Sequence, residues 1–309
     1  MKDITVVIVN WNTRDLLRNC LNSVYETIKD INYEVIVVDN ASTDGSVHML
    51  RDEFPAVEVI ENEENRGFGA ANNQAFAVMT GCYALLLNSD TALTQDAVRE
   101  LFLFMEDHPD ASLACGQLLN EDGSRQNSIA NFPTLLTMMS NMSLLEYLFP
   151  RRFPSKRYVH KDPVEIESAI GACVLVRREA MDAVGLFDER YFFFFEETDW
   201  AYRMRLAGWK IYHVPSALIY HLQGKSVGTS IRSRIEFYRS RYQFFRKYRG
   251  TVYVYTIYGV IMIRLAINWL FTFLENVLTV FLKKDLRSKW KVYMQLIHWH
   301  LRGCPGPSR

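Results

Sequence analysis

The chain predicts an α/β fold: a doubly wound, mostly parallel sheet in residues 1–225, then a helical region in residues 226–309. Three observations carry that expectation. Short β-branched or apolar runs alternate with stretches whose apolar residues recur at helical spacing. The early runs end in polar residues, and an open α/β sheet presents its ligands at the carboxyl edge of the strands. Beyond residue 225 the composition turns basic and aromatic, and then strongly apolar.

Taken in order, Ile4–Val9 is a β-branched run of the kind a central strand buries on both faces. It breaks at Asn10-Trp11-Asn12-Thr13 into a helix over 14–28, where Leu16, Leu17, Cys20, Leu21 and Val24 form one face. A strand over 33–38 ends in Asp39-Asn40-Ala41-Ser42-Thr43-Asp44-Gly45, where Ser42 or Thr43 can cap a helix over 47–53. A short strand over 57–61 and a polar loop lead to Gly67-Phe68-Gly69, which opens a helix reaching Met79. The strand over 83–87 closes this set. A helix over 95–108, a strand over 114–119 and a turn at 120–124 follow. Residues 126–164 read as irregular, with four prolines and an apolar piece at 135–149, either a lid or a surface excursion. A strand over 169–176, a helix over 178–184, a helix from Glu196 through Leu206 and a last strand over 210–214 complete the region, and residues 217–220 follow. They lead to His221 in a Gly-containing loop.

At 309 residues and 49% hydrophobic, the chain can bury a sizeable core. Thirty-five basic residues balance 35 acidic ones, so global charge points to no nucleic-acid partner. Five scattered cysteines without metal spacing suit reduced thiols in the cytoplasm. The apolar run at 4–9 is too short for a signal peptide, which again places the first region in the cytoplasm.

The richest stretch is Ala84–Thr91, an apolar run ending abruptly in Asn88-Ser89-Asp90-Thr91. Asn88 and Asp90 fall on one face of a strand end, and an amide oxygen with a carboxylate suits a hard divalent cation holding a diphosphate. The competing reading makes Asp90, Thr91 or Thr94 the cap of the next helix. Glu196 and Glu197 fit a helix N-terminus, where acids gain from the macrodipole. The four phenylalanines before them, Phe192–Phe195, also offer apolar surroundings that raise a carboxylate pKa toward general-base work. His221 is either a structural histidine or a metal ligand. Gly67-Phe68-Gly69 departs from a dinucleotide fingerprint and follows the third strand rather than the first, although Arg66 beside it fits a phosphate neighbour.

In the C-terminal region, residues 231–249 hold seven basic residues against Glu236, interleaved with aromatics. Residues 251–282 are strongly apolar, interrupted among strongly polar residues only by Arg264, Asn268, Glu275 and Asn276; Arg264, Asn268, Thr272, Glu275 and Thr279 fall in a narrow stripe about 80° wide at 100° per residue. Lys283, Lys284, Arg287, Lys289 and Lys291 follow. An apolar helix between basic flanks suits a membrane surface, inserted or lying on it; the alternative is a soluble helical cap with a solvated basic face.

Six motifs in register resemble one known family. Val9-Asn10-Trp11-Asn12, Val38–Gly45, Asn65–Gly69, Leu87–Thr91, Gly185–Glu189 and Phe195–Trp200 are similar to those of the inverting family 2 glycosyltransferases of the GT-A fold. The closest likeness is to the rhamnosyltransferase-like branch that builds cell-surface polysaccharides, and it covers about residues 1–225. The resemblance implies a nucleotide-sugar-binding sheet. Asp39 would hydrogen-bond the pyrimidine base, with Val9, Asn10 and Asn12 lining the pocket and Arg66 beside base or phosphate. Asn88 and Ser89 would face the donor. Asp90 matches the last residue of the family's Asp-x-Asp motif for Mg²⁺ or Mn²⁺, and His221 matches a later metal ligand. Asn88 replaces the first aspartate of that motif, leaving one carboxylate fewer. Glu197 stands where the family usually has the aspartate that deprotonates the acceptor; Glu196 and Asp199 are alternatives.

The implied reaction takes a dTDP- or UDP-sugar to a glycan or lipid-linked acceptor at the cytoplasmic face of the membrane. Such transfer needs a metal for the departing diphosphate and one base opposite it, whereas a hydrolase needs two carboxyls about the scissile bond. Two other readings remain at this stage: a sugar-phosphate nucleotidyltransferase, and a non-catalytic membrane-bound nucleotide-sugar binder. The first would usually carry a Gly-rich basic loop where Asn10-Trp11-Asn12 stands.

Overall fold

A computed structural model describes residues 2–155, 160–222 and 231–304. In chain order these form β1 (Lys2–Asn10), α1 (Arg14–Thr27), β2 (Tyr33–Asp39), α2 (Ser46–Glu53), β3 (Glu58–Glu61), α3 (Phe68–Val78) and β4 (Gly81–Asn88). Next come β5 (Thr91–Leu93), α4 (Ala97–Asp107), β6 (Ala111–Leu119), β7 (Ile129–Ala130), α5 (Leu135–Met139) and α6 (Met142–Leu148). Then follow β8 (Val164–Glu165), β9 (Ser168–Ala169), β10 (Cys173–Arg177), α7 (Arg178–Val184), α8 (Glu196–Leu206) and β11 (Lys210–His221). The last helices are α9 (Ile231–Tyr248), α10 (Thr251–Leu278) and α11 (Lys284–Leu301). Two compact units result, one from residues 1–132 and 145–227, the other from 133–144 and 228–309.

The first unit is built on a mixed sheet in the order β3-β2-β1-β4-β10-β6-β11-β5, with β8 also on β11. Strands β1 to β4 run parallel to one another, as the apolar runs of β1, β2 and β4 predict. Side chains of β1 feed two cores: Ile4, Val6 and Ile8 pack with Leu17, Leu21 and Leu101 on one face, and Val7 packs with Phe76 and Trp200 on the other. Burial on both faces is why β1 reads as a continuous apolar run rather than an alternating one. Cys20, Cys115 and Cys173 are free and buried, and burial raises their thiols.

Several local expectations change. The strand over 169–176 is two pieces, broken at Gly171-Ala172, and β10 runs antiparallel to both β4 and β6. The strand expected over 210–214 continues to His221, with a register shift between Val214 and Leu218, where Pro215 has no N–H for the ladder. His221 is therefore the last residue of β11 rather than part of a loop. The glycine expected after it lies outside the described residues. Neither Ser42 nor Thr43 caps α2: its N-cap is Gly45 at φ 85°, and Asp44 Oδ1 accepts from the Ser46 N–H at 3.1 Å. The irregular stretch over 126–164 carries α5, α6 and two short strands, β7 and β8.

In the second unit, α10 and α11 run antiparallel. Trp290 packs on Trp269 and Phe273 with ring centroids 6.3 and 5.9 Å apart, and Tyr258 donates to the His300 carbonyl at 3.0 Å. His300, fully buried, is 3.1 Å from the Tyr242 hydroxyl of α9, and α5 is tied to α10 by the Leu135 N–H on the Tyr253 hydroxyl at 2.8 Å.

Candidate functional site

The carboxyl edges of β1, β2 and β4 lie side by side, since Asn10 is in register with Asp39 and Val9 with Asn88. Polar side chains at this edge form one directed chain. Asn10 Nδ2 donates to Asp39 Oδ1 at 2.8 Å, and Thr13 Oγ1 donates to Asn10 Oδ1 at 2.7 Å. Thr13 has a single proton, so the 2.7 Å contact with Ser89 Oγ must be donated by Ser89. The second Asp39 oxygen accepts from the Ser42 N–H at 2.8 Å, and Asn12 Oδ1 accepts from the Thr43 N–H at 2.7 Å. Asp39 is thus buried and holds the two loops that rim the edge, while Asn12 sits in the left-handed region at φ 54°. Arg66 is exposed, and Val9 and Asn88 are partly buried.

Asp90 does not cap a helix. It stands in a tight turn between β4 and β5, and the residue that caps α4 is Asp96, without a side-chain hydrogen bond. Strand β5 pairs with the end of β11, Thr91 opposite His221, which brings His221 Nε2 to 3.5 Å from Asp90 Oδ1. Both residues are buried, at 1% and 7% exposure. Gln126, which sequence reasoning missed, sits behind the imidazole. Its Oε1 is 3.0 Å from His221 Nδ1, and its Nε2 donates to the His221 carbonyl. An Nδ1–H held this way leaves the Nε2 lone pair toward Asp90, as the ligand tautomer requires.

Among the described residues no cluster of three or more His, Cys, Asp or Glu residues is placed to hold a metal. A carboxylate and a neutral imidazole nevertheless fit two positions on a divalent cation. Asp90 and His221, 3.5 Å apart, would hold the ion together with a diphosphate and water, and the ion would supply positive charge there.

Glu196 and Glu197 open α8, as expected. The entry is unusual: Phe194 and Phe195 hold φ 68° and 71°, two consecutive left-handed residues without a glycine. Gly67 and Gly69 explain how the helix is seated. The Phe68 N–H donates to the Phe192 carbonyl at 3.0 Å, and a Cβ on Gly67 would stand 2.4 Å from that oxygen. Gly67 itself is at φ 84°, so the Gly-x-Gly stretch serves close backbone approach.

Glu197 lies against Gly171, whose added Cβ would be 3.7 Å from its Cβ and Cγ, and the next residue, Ala172, accepts the Asn88 N–H at 2.9 Å. That segment joins Glu197 to the Asn88–Asp90 edge. Glu197 lines a small apolar cavity with Phe68, Leu86, Val174, Phe187 and Trp200, and its Oε2 is buried without a hydrogen-bond partner among the described residues. Burial pushes this carboxyl up to about 7. The cavity's apolar lining includes none of the four phenylalanines, Phe192–Phe195, that suggested it. Glu196 is buried, with Gly69 against its Cβ.

Asp199 behaves differently from either glutamate. Fully buried, it accepts from Arg203 Nε at 2.9 Å and is 3.4 Å from the Tyr191 hydroxyl. Arg203 in turn donates to the carbonyls of Val184, Gly185 and Leu186. The pair pins α8 to the loop after α7, together with Trp200 Nε1 on the Gly185 carbonyl at 2.8 Å. With both oxygens engaged inside the fold, Asp199 is a poor acceptor base, contrary to its place among the sequence candidates.

Comparison with known proteins agrees with this architecture. The family model described as glycosyl transferase family 2 matches residues 5–185. An N-acetylglucosaminyl-diphospho-decaprenol L-rhamnosyltransferase of Mycobacterium tuberculosis is 29% identical over 217 residues, 65% of this chain and 70% of that one. A low-salt glycan biosynthesis hexosyltransferase of Haloferax volcanii is 24% identical over 210 residues, 66% of this chain and 62% of its own. The mannosyltransferase PcManGT of Pyrobaculum calidifontis, solved with GDP-Man and Mn²⁺, aligns with a TM-score of 0.57 at 18% identity, over 98% of this chain and 88% of that one. GalNAc-T7, solved with UDP, GalNAc and Mn²⁺, aligns with the same score at 17% identity; the alignment takes in 78% of this chain and 47% of GalNAc-T7. The fold is GT-A-like with a mostly parallel, mixed sheet, and both structural neighbours were solved with a divalent metal. With more than half of its length matched by the family model, the chain belongs to glycosyl transferase family 2.

Proposed function

We propose that the protein is a metal-dependent, inverting glycosyltransferase using a dTDP- or UDP-sugar. Its acceptor is a lipid-linked or other cell-surface glycan at the cytoplasmic face of the membrane. Residues 1–225 would form the transferase domain and 226–309 a membrane-associating region. The observation that carries the reading is the Asp90–His221 pair, 3.5 Å apart at the carboxyl edge of the sheet, with Gln126 setting the imidazole. Rhamnose is the first sugar to test, because the Mycobacterium tuberculosis relative is a rhamnosyltransferase.

In this reading Asp39, Asn10, Asn12 and the Val9 backbone shape the base end of the donor pocket, and Arg66 offers an exposed cation to phosphate or base. Asn88 and Ser89 face the donor where β4 ends. A Mg²⁺ or Mn²⁺ ion held by Asp90 and His221 would neutralise charge on the departing diphosphate. Glu197 takes the acceptor proton as the acceptor oxygen bonds to the anomeric carbon and the bond to the diphosphate breaks. Attack opposite the leaving group inverts that carbon. A carboxyl with a pKa near 7 is well matched to this task. Glu196 orders the first turn of α8 beside it, and Asp199 positions the helix through Arg203.

A thermal-shift series with Mn²⁺ and a panel of nucleotide sugars tests the donor half, since a ligand binding only the folded state raises the melting temperature. A metal-dependent rise with dTDP- or UDP-sugars is expected. No rise with any pyrimidine nucleotide, with or without metal, would remove the donor assignment. The anomeric configuration of the product, read by NMR, tests inversion.

A further inference from the structure

Helix α10 carries far more exposed apolar surface than a water-soluble unit needs, although Ile257, Ile261 and Leu265 are buried on its inner side. On its inward side lie Thr272 and Asn276, at 3% and 0% exposure, while Ile263, Phe271 and Leu278 stand 62%, 61% and 83% exposed. At 100° per residue, its exposed apolar residues occupy an outer arc of about 160° that contains no charged residue. Arg264 and Glu275 fall outside that arc, toward the polar stripe. The helix is long and apolar enough to cross a membrane, with mean hydropathy 1.8 in its best window. Its partner α11 is of opposite character. Lys284, Arg287, Lys289 and Lys291 are exposed on it against Asp285 alone, and Lys283 precedes them.

We propose that the α10–α11 hairpin is a one-leaflet anchor. The outer arc of α10 sits among acyl chains, the cations of α11 meet anionic lipid headgroups, and neither helix crosses the bilayer. This rests on the reading that the enzyme works at a membrane and goes further by fixing how. Packing of Trp290 on Trp269 and Phe273 sets the cationic first turns of α11 alongside the last turns of α10. A crossing α10 would draw Lys289 and Lys291 into hydrocarbon, which the bilayer penalises for each charge. Lying in the interface instead, the hairpin satisfies both faces at once. The turn that joins the helices is equally apolar, with Val280 and Leu282 at 75% and 80% exposure just before the lysines. Charge complementarity selects an anionic leaflet over a second copy of the chain, because a second copy would bring its own cations to the same surface.

Flotation of the full-length protein with phosphatidylcholine vesicles, with and without phosphatidylglycerol, tests the partner. Binding is expected chiefly to the anionic vesicles and is expected to weaken with salt. Reversing Lys284, Arg287 and Lys291 to glutamate should lower it by at least about a hundredfold. Phe271→Asp with Leu274→Asp, both at exposed positions, should abolish it while leaving the circular dichroism spectrum unchanged. Binding indifferent to lipid charge, or absent in favour of a stable dimer by light scattering, overturns the proposal. Topology is read from an NBD label on Leu282→Cys, in a Cys82→Ser, Cys304→Ser background. Externally added dithionite should quench it in sealed vesicles; a protected label would mean that α10 crosses, which overturns the one-leaflet anchor but leaves membrane association standing. Turnover of a water-soluble acceptor reports separately on the transferase reading.

Discussion

Replacing Glu197 by glutamine separates a catalytic carboxylate from a structural one, because the two roles predict opposite signs. Its carboxyl is raised from 4.5 to about 7, with burial as the leading cause. Below pH 4.5 the group is protonated both folded and unfolded and makes no difference to stability. Between 4.5 and 7 the unfolded chain gives up its proton while the folded chain keeps it, so stability falls as pH rises. Above 7 the full penalty is present, at ~1.4 kcal/mol per pH unit a total of ~3 kcal/mol. Glutamine removes that penalty and keeps nearly the same shape. Glu197→Gln should therefore be close to neutral in stability at pH 4.5 and stabilising by up to ~3 kcal/mol at pH 8.

The assay is chemical denaturation of both proteins at the two pH values, paired with steady-state transfer. In the wild type, kcat/KM should rise with pH through about 7, as the base loses its proton. The variant should bind donor and metal normally yet lose transfer by ~100-fold or more. A variant that is more stable at high pH and inactive would show a group kept at the expense of stability. A variant destabilised equally at both pH values, or one with undiminished turnover, would refute the reasoning and move the base to Glu196.

Four further outcomes are expected. Asp90→Ala should abolish the Mn²⁺-dependent part of donor-induced thermal stabilisation while leaving the apo melting temperature nearly unchanged. Gln126→Leu should weaken Mn²⁺ affinity by ~10–100-fold, measured by titration calorimetry with nucleotide, because the tautomer of His221 is no longer fixed. Gly67→Ala should destabilise the fold by at least ~2 kcal/mol in urea denaturation, given its φ of 84° and the 2.4 Å approach to the Phe192 carbonyl. Arg203→Ala should cost about 3–5 kcal/mol by leaving the buried Asp199 uncompensated, with no change in the pKa of the pH–rate profile. A shifted profile would return Asp199 to the acid–base chemistry.

How much of this was legible in the sequence follows from which interactions are local. Ile4–Val9 and Ala84–Leu87 announce buried strands because burial on both faces demands continuous apolar side chains, and the polar residues that end them mark the edge where Asn10 and Asp90 stand. The antiparallel β10 was not legible, since five apolar residues carry no sign of strand direction. Gln126 was invisible for a similar reason. It lies 95 residues from His221 and meets it only because β11 and the strand-end turn of β6 converge. Asp199 stood beside Glu196 and Glu197 as a candidate because a helix N-terminus offers three acids of similar local character. Their partners distinguish them: Asp199 pairs with Arg203 one turn along the same helix, an i,i+4 spacing present in the sequence, whereas the apolar cavity around Glu197 is built from distant segments. The same asymmetry applies to the longer side chain at position 197. A glutamate reaches one methylene further than the aspartate usual in the family, and the two left-handed phenylalanines before it are what set where its backbone begins. A helix entered through an ordinary extended cap would start its first turn elsewhere. On the proposal that Glu197 is the base, the left-handed entry at Phe194 and Phe195 and the length of its side chain act together on where the carboxylate falls. Glu197→Asp should place its carboxylate short of the acceptor and lower kcat more than it raises KM.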